Sequence, residues 1–399
     1  MERVFDFSAL LGHLRDGRHC PSISTQTVFY CVFLLFVLRL GSLNALEAHY
    51  RERRRRRRWQ AHLCQTPPPS ADTVGYSLMR FDCETLREMI HGVYKRLQRN
   101  HLTSQIRLGG WSIVGLDGHE LFSSYSRCCP RCSTRRVHTA QGERIQYYHR
   151  VVVAQLLGGS FAIPLDIEPI RAGEDEVAAA TRLMARLLGR YPKAFDVVTV
   201  DGLYGRAGFV NLLRKHSKHI LFVLKENNHD LLEDAKGLFA SQAPLVKQEG
   251  SGLYLRWDEE GFDPWPEVKG PFRIVRSLET KPKGKQLETS DWYWCTTLPK
   301  AITSTDTTCR IGHKRWEIEN QGFNVLVNYY GLDHCFKHHP TAIVAFALVC
   351  FLAYTLFQMF YYRNLKFPFS RRGSLQFVTH TLLESLHEML QQPIHLKPD

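Results

Sequence analysis

Residues 195–205 read FDVVTVDGLYG, and residues 111–118 read WSIVGLDG. Each is a short apolar run, rich in β-branched residues, that closes on Asp-Gly. Such a run bounded by a turn dipeptide predicts a buried strand, which places Asp117 and Asp201 at two strand ends. Asp-Gly alone is an ordinary turn pair. In an open sheet, however, the carboxyl ends of central strands are where sites assemble.

The neighbouring segments extend the pattern. RVVVAQLLGG (150–159) and SFAIPLDIEPI (160–170) predict two more strands, joined as a hairpin at the Gly-Gly turn. EDEVAAATRLMARLLGRYP (174–192) is an amphipathic helix with acids early and arginines late, the order a helix dipole favours. AGFVNLLRKHS (207–217) predicts a helix and HILFVLKEN (219–227) a buried strand. Three strands followed by helix, strand, helix and strand predict an α/β fold, a mixed sheet with helices on its faces. Residues 226–305 break this rhythm with GLYLRWDEEGF, FRIVRSLET and DWYWCTTL, the last two separated by the turn KPKGK, and read as a β-rich insertion. Residues 1–105 read as helical, with a core helix at Val28–Leu38, a break at TPPPSAD (66–72) and a helix capped by Asp82.

The third acid sits in KRWEIENQGF (314–323). At about 100° per residue, Trp316, Ile318, Gly322, Phe323, Val325, Leu326, Val327 and Tyr329 share one apolar arc. Glu317, Gln321, Asn324 and Asn328 lie opposite, so Glu317 reads as a solvated acid. Glu319 falls inside the apolar arc, one turn after Arg315. A carboxylate carried inward is costly unless it is paired or binds a cation, and an Arg315–Glu319 pair at i,i+4 is the simplest account. Three acids brought together repel one another unless cations lie between them. Hard oxygen donors suit two Mg²⁺ or Mn²⁺ ions, which can activate a water or 3′-hydroxyl for displacement at phosphorus.

Composition bounds the rest. The 399 residues suffice for about two domains, and 44% hydrophobic with 23% charged residues is globular. A net charge of +13 points to a polyanion, nucleic acid or an anionic membrane. The arginine run 53–58 beside Trp59 is either a solvated charge block or a set of phosphate contacts. The eleven cysteines are scattered and odd in number, which fits a reducing cytoplasm. Thr341–Tyr362 has no charge over 22 residues and is long enough to span a bilayer. Its Thr355 and Gln358, and the polar link DHCFKHHP before it, favour a buried core helix.

The order strand–Asp117, hairpin, helix, strand–Asp201, β-rich insertion and helix–Glu319 resembles a bacterial insertion-sequence DDE transposase, whose catalytic domain has a ribonuclease H-like fold. The Asp-x-x-Tyr of that family's second acid is matched by Asp201-Gly-Leu-Tyr204, and its Arg-x-x-x-Glu by Arg315 and Glu319. The resemblance covers roughly 105–365 and implies a division into residues 1–105 (DNA-binding helices), 106–225 and 306–365 (catalytic), 226–305 (insertion) and 366–399 (tail). It implies that Asp117, Asp201 and Glu319 are catalytic and hold the metals, and that Arg315, Tyr204 and His119 contact DNA. It also implies terminal inverted repeats and target DNA as partners, a homodimer or higher oligomer on DNA, and a place with the bacterial nucleoid. Two departures stand out: the family's tyrosine position is Gly312, and its lysine after the Glu is replaced by Leu326 and Val327. A degenerate DNA-binding or nuclease remnant, or a protein anchored in a membrane through residues 341–362, are the alternative readings.

RCCPRCSTRRVH (127–138) offers Cys129-x-x-Cys132, with Cys128 and His138 near, as half of a structural Zn²⁺ site. Cys309 with His313, or His334 with Cys335, complete it only if the fold brings them close. Free thiols on a basic turn, with Arg127, Arg131, Arg135 and Arg136 facing phosphates, are the plainer expectation.

Overall fold

The apolar runs form the centre of one mixed sheet in the computed structural model, which describes residues 2–63, 66–140, 142–159, 161–284, 286–365 and 374–391. Ser160, Lys285 of the KPKGK turn, and the ends of the 366–399 tail lie outside the described residues. The strands are β1 Ile113–Ser124, β2 Ser133–Thr139, β3 Gly142–Leu157, β4 Ile163–Ile170, β5 Val197–Val200, β6 His219–Val223, β7 Leu245–Glu249, β8 Gly252–Phe262, β9 Phe272–Lys283 and β10 Gln286–Thr296. Their order is β2-β3-β1-β5-β6-β10-β9-β8-β7, with β4 paired to β3. Only β1–β5 and β5–β6 are parallel. The strands of 226–305 do not form a sheet of their own: β10 pairs antiparallel with β6, so the insertion lengthens the central sheet.

Helices α1 Glu2–Phe5, α2 Phe7–Gly12, α3 Thr25–Val37, α4 Leu43–Tyr50, α5 Arg53–Leu63, α6 Ala71–Leu78 and α7 Cys83–Arg99 precede the sheet. Helix α7 begins where its cap predicts, the Asp82 carboxylate accepting from the Glu84 N–H. Helix α5 leaves Arg53–Arg57 exposed and buries Trp59 against Tyr50, ring centroids 4.9 Å apart. Helices α8 Glu176–Arg190, α9 Ala207–Lys215 and α10 His229–Ala240 intervene between strands, and α11 Thr305–Lys314, α12 Asn324–Tyr330, α13 Pro340–Met359 and α14 Leu375–Gln391 follow them.

Helix α13 carries the long apolar run, and 94% of its most apolar window is buried among α3, α7, β4 and α12. Its Gln358 amide accepts from the Ala162 N–H (3.0 Å) and donates to the Ala162 carbonyl (2.8 Å) at the β3–β4 turn. That pairing gives a polar side chain in an apolar helix a protein partner in place of lipid.

Candidate active site at the ends of the central strands

The register of the parallel pair fixes the first two acids. Ile113 lies opposite Val197 and Gly115 opposite Thr199. Two residues further along each chain, Asp117 and Asp201 reach the same level of adjacent strands, about 5 Å apart at strand spacing, and point to the same face. Asp201 caps a short 3₁₀ turn, its carboxylate accepting from the Gly202 N–H.

The third acid arrives on a π-helical turn, Ile318–Phe323, between α11 and α12. The wider turn changes the phase of the helix, and the single α-helical arc expected from the sequence is corrected accordingly. Trp316 and Tyr329 are exposed, while Ile318, Gly322, Phe323 and Leu326 are buried. Glu317 is not a solvated acid: its side chain is 17% exposed, less than the 36% of Glu319, pairs with Lys314 and accepts from the Gly158 N–H. Two glycines let this turn approach the sheet. A Cβ on Gly322 would lie 2.6 Å from the buried Gln155 amide oxygen, and one on Gly115 would lie 2.7 Å from Leu157 and 3.7 Å from Ile318. Gly115 and Gln155 are cross-strand partners, so the turn lies over this one spot of the sheet. The Tyr354 hydroxyl of α13 donates to the Gln321 carbonyl at 2.6 Å, satisfying a group of the turn.

Arg315 joins the acids. Its guanidinium is buried, forms an ion pair with Glu319 at 3.1 Å, donates to Asp117 at 3.4 Å, and stacks over the Trp316 ring at 4.4 Å. Lys225, just past β6, pairs with Asp201 at 2.9 Å. Among the described residues the three carboxylates do not form a group with all oxygens within 4.8 Å; Arg315 and Lys225 are their cationic partners, and the Gly118 and Gly202 N–H groups donate to Asp117 and Asp201. Burial pushes the Asp117 carboxyl up to about 7; Arg315 pulls it down, while the charges of Glu319 and Glu176 add to the rise. Burial also acts upward on Asp201, but the Lys225 hydrogen bond, the Gly202 N–H and the Arg315 charge outweigh it and hold the group below the usual range.

Glu176 is the residue that sequence reasoning missed. It was legible only as an acid in the first turn of α8, yet it comes from the other face of the sheet to stand against Gly118. A Cβ at Gly118 would lie 2.1 Å from its carboxylate. Tyr204 donates to it at 2.8 Å and Arg150 pairs with it. Tyr204 is therefore turned inward, fully buried with its hydroxyl committed to Glu176, and is not placed for the DNA contact expected of it. His119 stacks on Phe323 with ring centroids 4.4 Å apart, and burial holds its imidazole below the ordinary histidine value. It packs the Ile318–Phe323 turn to β1.

The donor set fits a hard divalent cation. Three partly exposed carboxylates (17%, 32% and 36% of their side-chain surface) stand at one end of the sheet, with a fourth negative group behind Asp117. Parallel central strands carrying one acid within β1 and one just past β5, with a helix bringing a third, place the protein in the ribonuclease H-like class. Residues 126–356, more than half of the chain, match the transposase DDE domain, and the chain belongs to that family. The matched segment contains Asp201 and Glu319 and begins nine residues after Asp117. No curated protein matches the chain.

Proposed function

We propose that this chain is a DNA transposase that hydrolyses a phosphodiester at each end of its own mobile element and joins the freed 3′-hydroxyl to target DNA. The observation that carries this is the placement of Asp117 and Asp201 at one level of adjacent strands, with Glu319 linked to Asp117 through Arg315. Asp117, Asp201 and Glu319 would hold divalent cations, Mg²⁺ or Mn²⁺, which when bound polarise phosphate oxygens and lower the pKa of a bound water or hydroxyl.

The chain's own residues set the charge balance. Glu176, fixed by Tyr204 and Arg150, keeps negative charge behind Asp117 and sharpens that group's preference for a positive neighbour. Arg315 supplies that charge and fixes Glu319 relative to β1. Lys225 orients Asp201. Exposed arginines of α5 and of the β1–β2 turn, Arg127 and Arg131 among them, offer phosphate contacts. Bringing two DNA ends together calls for a homodimer or larger assembly, acting in the cytoplasm on the nucleoid.

A second reading, a DNA-binding remnant, is favoured by two observations: the three acids already have Arg315 and Lys225 as partners, and Leu326 is buried where the resemblance expects a lysine that grips DNA. One experiment separates the two. The protein is incubated with DNA carrying its flanking terminal repeats, with and without Mg²⁺. The transposase cleaves in Mg²⁺, and Asp117→Asn, Asp201→Asn or Glu319→Gln reduces cleavage to background while gel-shift binding persists. Wild-type binding without cleavage establishes the remnant. Cleavage by any of the three variants at the wild-type rate overturns the acid assignment.

A further inference from the structure

Cys129 and Cys132 of the β1–β2 turn, His149 of β3 and His338 of the link before α13 point four ligand atoms at one spot, all within 4.8 Å of one another. The sulfurs are 3.7 Å apart and the two Nε2 atoms 3.3 Å. Cys132 Sγ lies 3.3 Å from His149 Nε2 and 3.2 Å from His338 Nε2, and Cys129 Sγ lies 3.4 Å from His149 Nε2. Tetrahedral zinc with ordinary Zn–S and Zn–N bonds requires edges of about 3.8 Å for S···S, 3.6 Å for S···N and 3.3 Å for N···N. The S···S and N···N edges match those values, and the three S···N edges lie slightly inside them.

The surroundings fit the same ion. The Cys129 N–H donates to Cys132 Sγ at 3.2 Å, and the Cys132 N–H to the Cys129 carbonyl at 3.1 Å, a knuckle that holds both sulfurs on one side of the turn. Cys132 and His149 are buried, and the Phe122 ring packs at 5.5 and 5.7 Å from the two imidazoles. Two thiolates, two neutral imidazoles and one Zn²⁺ carry no net charge, which suits a buried place. The ligands are drawn from segments 189 and 206 residues apart. Cys128 is exposed in the turn, His138 is exposed near the far end of β2 opposite Glu143, and Cys309 is buried in α11. The pair read from the sequence is thus completed by two histidines that spacing did not single out.

We propose that Cys129, Cys132, His149 and His338 form a structural Zn²⁺ site that fastens the start of α13 and the β1–β2 turn to β3. It is separate from the acids: His149 is the cross-strand partner of Phe122, five residues along β1 from Asp117, roughly 17 Å at strand rise.

The test is elemental analysis of the full chain purified without added chelator, together with Co²⁺ titration of reduced, metal-free protein. We expect about one zinc per chain, the visible bands of tetrahedral thiolate-bound Co²⁺, and a thermal midpoint that falls on zinc removal and is restored by Zn²⁺ but not Mg²⁺. Cys132→Ser and His338→Ala abolish the bands, while Asp117→Asn leaves zinc content unchanged. Should these two variants fail to fold, the wild-type titration still decides the matter. Wild-type protein that folds without zinc and gives no cobalt bands, or zinc lost equally in Asp117→Asn, overturns the proposal.

Discussion

Gly312 stands where related transposases carry a tyrosine, and the indole of Trp294 from β10 occupies the space that side chain would need. A Cβ at 312 would lie 2.4 Å from Nε1 and Cε2 of that ring. Trp294 is fully buried and also stacks on Trp292, with centroids 6.0 Å apart, so it has nowhere to yield. Gly312→Ala is therefore expected to destabilise by about 1–3 kcal/mol, the usual range for overpacking, even though alanine is the better helix former. Trp294→Ala alone costs about 3–5 kcal/mol as a large-to-small change in a core. Combined, the two should cost less than their sum by about 1 kcal/mol or more, measured by urea unfolding as a double-mutant cycle. Strict additivity would show that the glycine is not there to make room for the ring. Sequence alone could flag the departure at 312 but not its cause, because the clash joins a helix to a strand of the insertion.

Among the elements, the strands were the most legible. Asp201 could be placed because a fully apolar strand announces itself and its Asp-Gly end marks the boundary, but β1 runs on through Asp117 and Gly118 to Ser124, so there the same dipeptide ends only the buried half of the strand. The helix bearing Glu319 was legible as an element but not in phase: periodicity assumes 3.6 residues per turn, and the π turn at 318–323 rotates every side chain after it. The 226–305 segment is legible as a β-rich insertion but not in its attachment to β6, because local pattern says nothing about which sheet edge a strand joins. Its attachment has a consequence for the site. Glu279 of β9 is buried and accepts from the Nε2 of His313, two residues before Arg315, at 2.7 Å, and also pairs with Lys281 at 2.5 Å. Burial works to raise the Glu279 carboxyl, but His313 and Lys281 outweigh it and bring the group down to about 2, from an ordinary 4.5. A depressed acid contributes stability that is complete above its unfolded value and is lost as pH falls through the folded one. Glu279→Gln should thus lower stability by about 1–3 kcal/mol at pH 7, and the gap to wild type should close between pH 4.5 and 2. Denaturant midpoints across that range check it, and a gap independent of pH would assign the loss to packing instead.

At the scale of the whole molecule, the question is whether the N-terminal helices are a module of their own or part of the catalytic body. The switch from helical to strand pattern predicts a boundary near residue 105, yet the physical connections run across it. Arg87 of α7 is buried and donates Nε to Asp166 of β4 at 2.7 Å and Nη2 to the Ile167 carbonyl at 3.2 Å. Arg186 of α8 takes the other oxygen of Asp166 at 2.5 Å, so a single buried carboxylate, 1% exposed, ties the helical region to the sheet and its covering helix. Helices α3 and α7 also pack directly on α13. Removing one partner of a buried ion pair leaves a charge without compensation and typically costs about 3–5 kcal/mol. Arg87→Ala should lose about 3 kcal/mol, towards the low end because Arg186 remains. Arg87→Met, which keeps the stem but not the charge, should lose nearly as much, since the lost cation and not the lost volume is what Asp166 misses. If the helices and the sheet share one core, both variants shift a single cooperative transition followed by circular dichroism and by tryptophan fluorescence together. Two separated transitions in the wild type, with only the earlier one moved by Arg87→Ala, would instead make residues 1–105 an independently folding unit, and the Arg87–Asp166 contact a docking joint between two bodies.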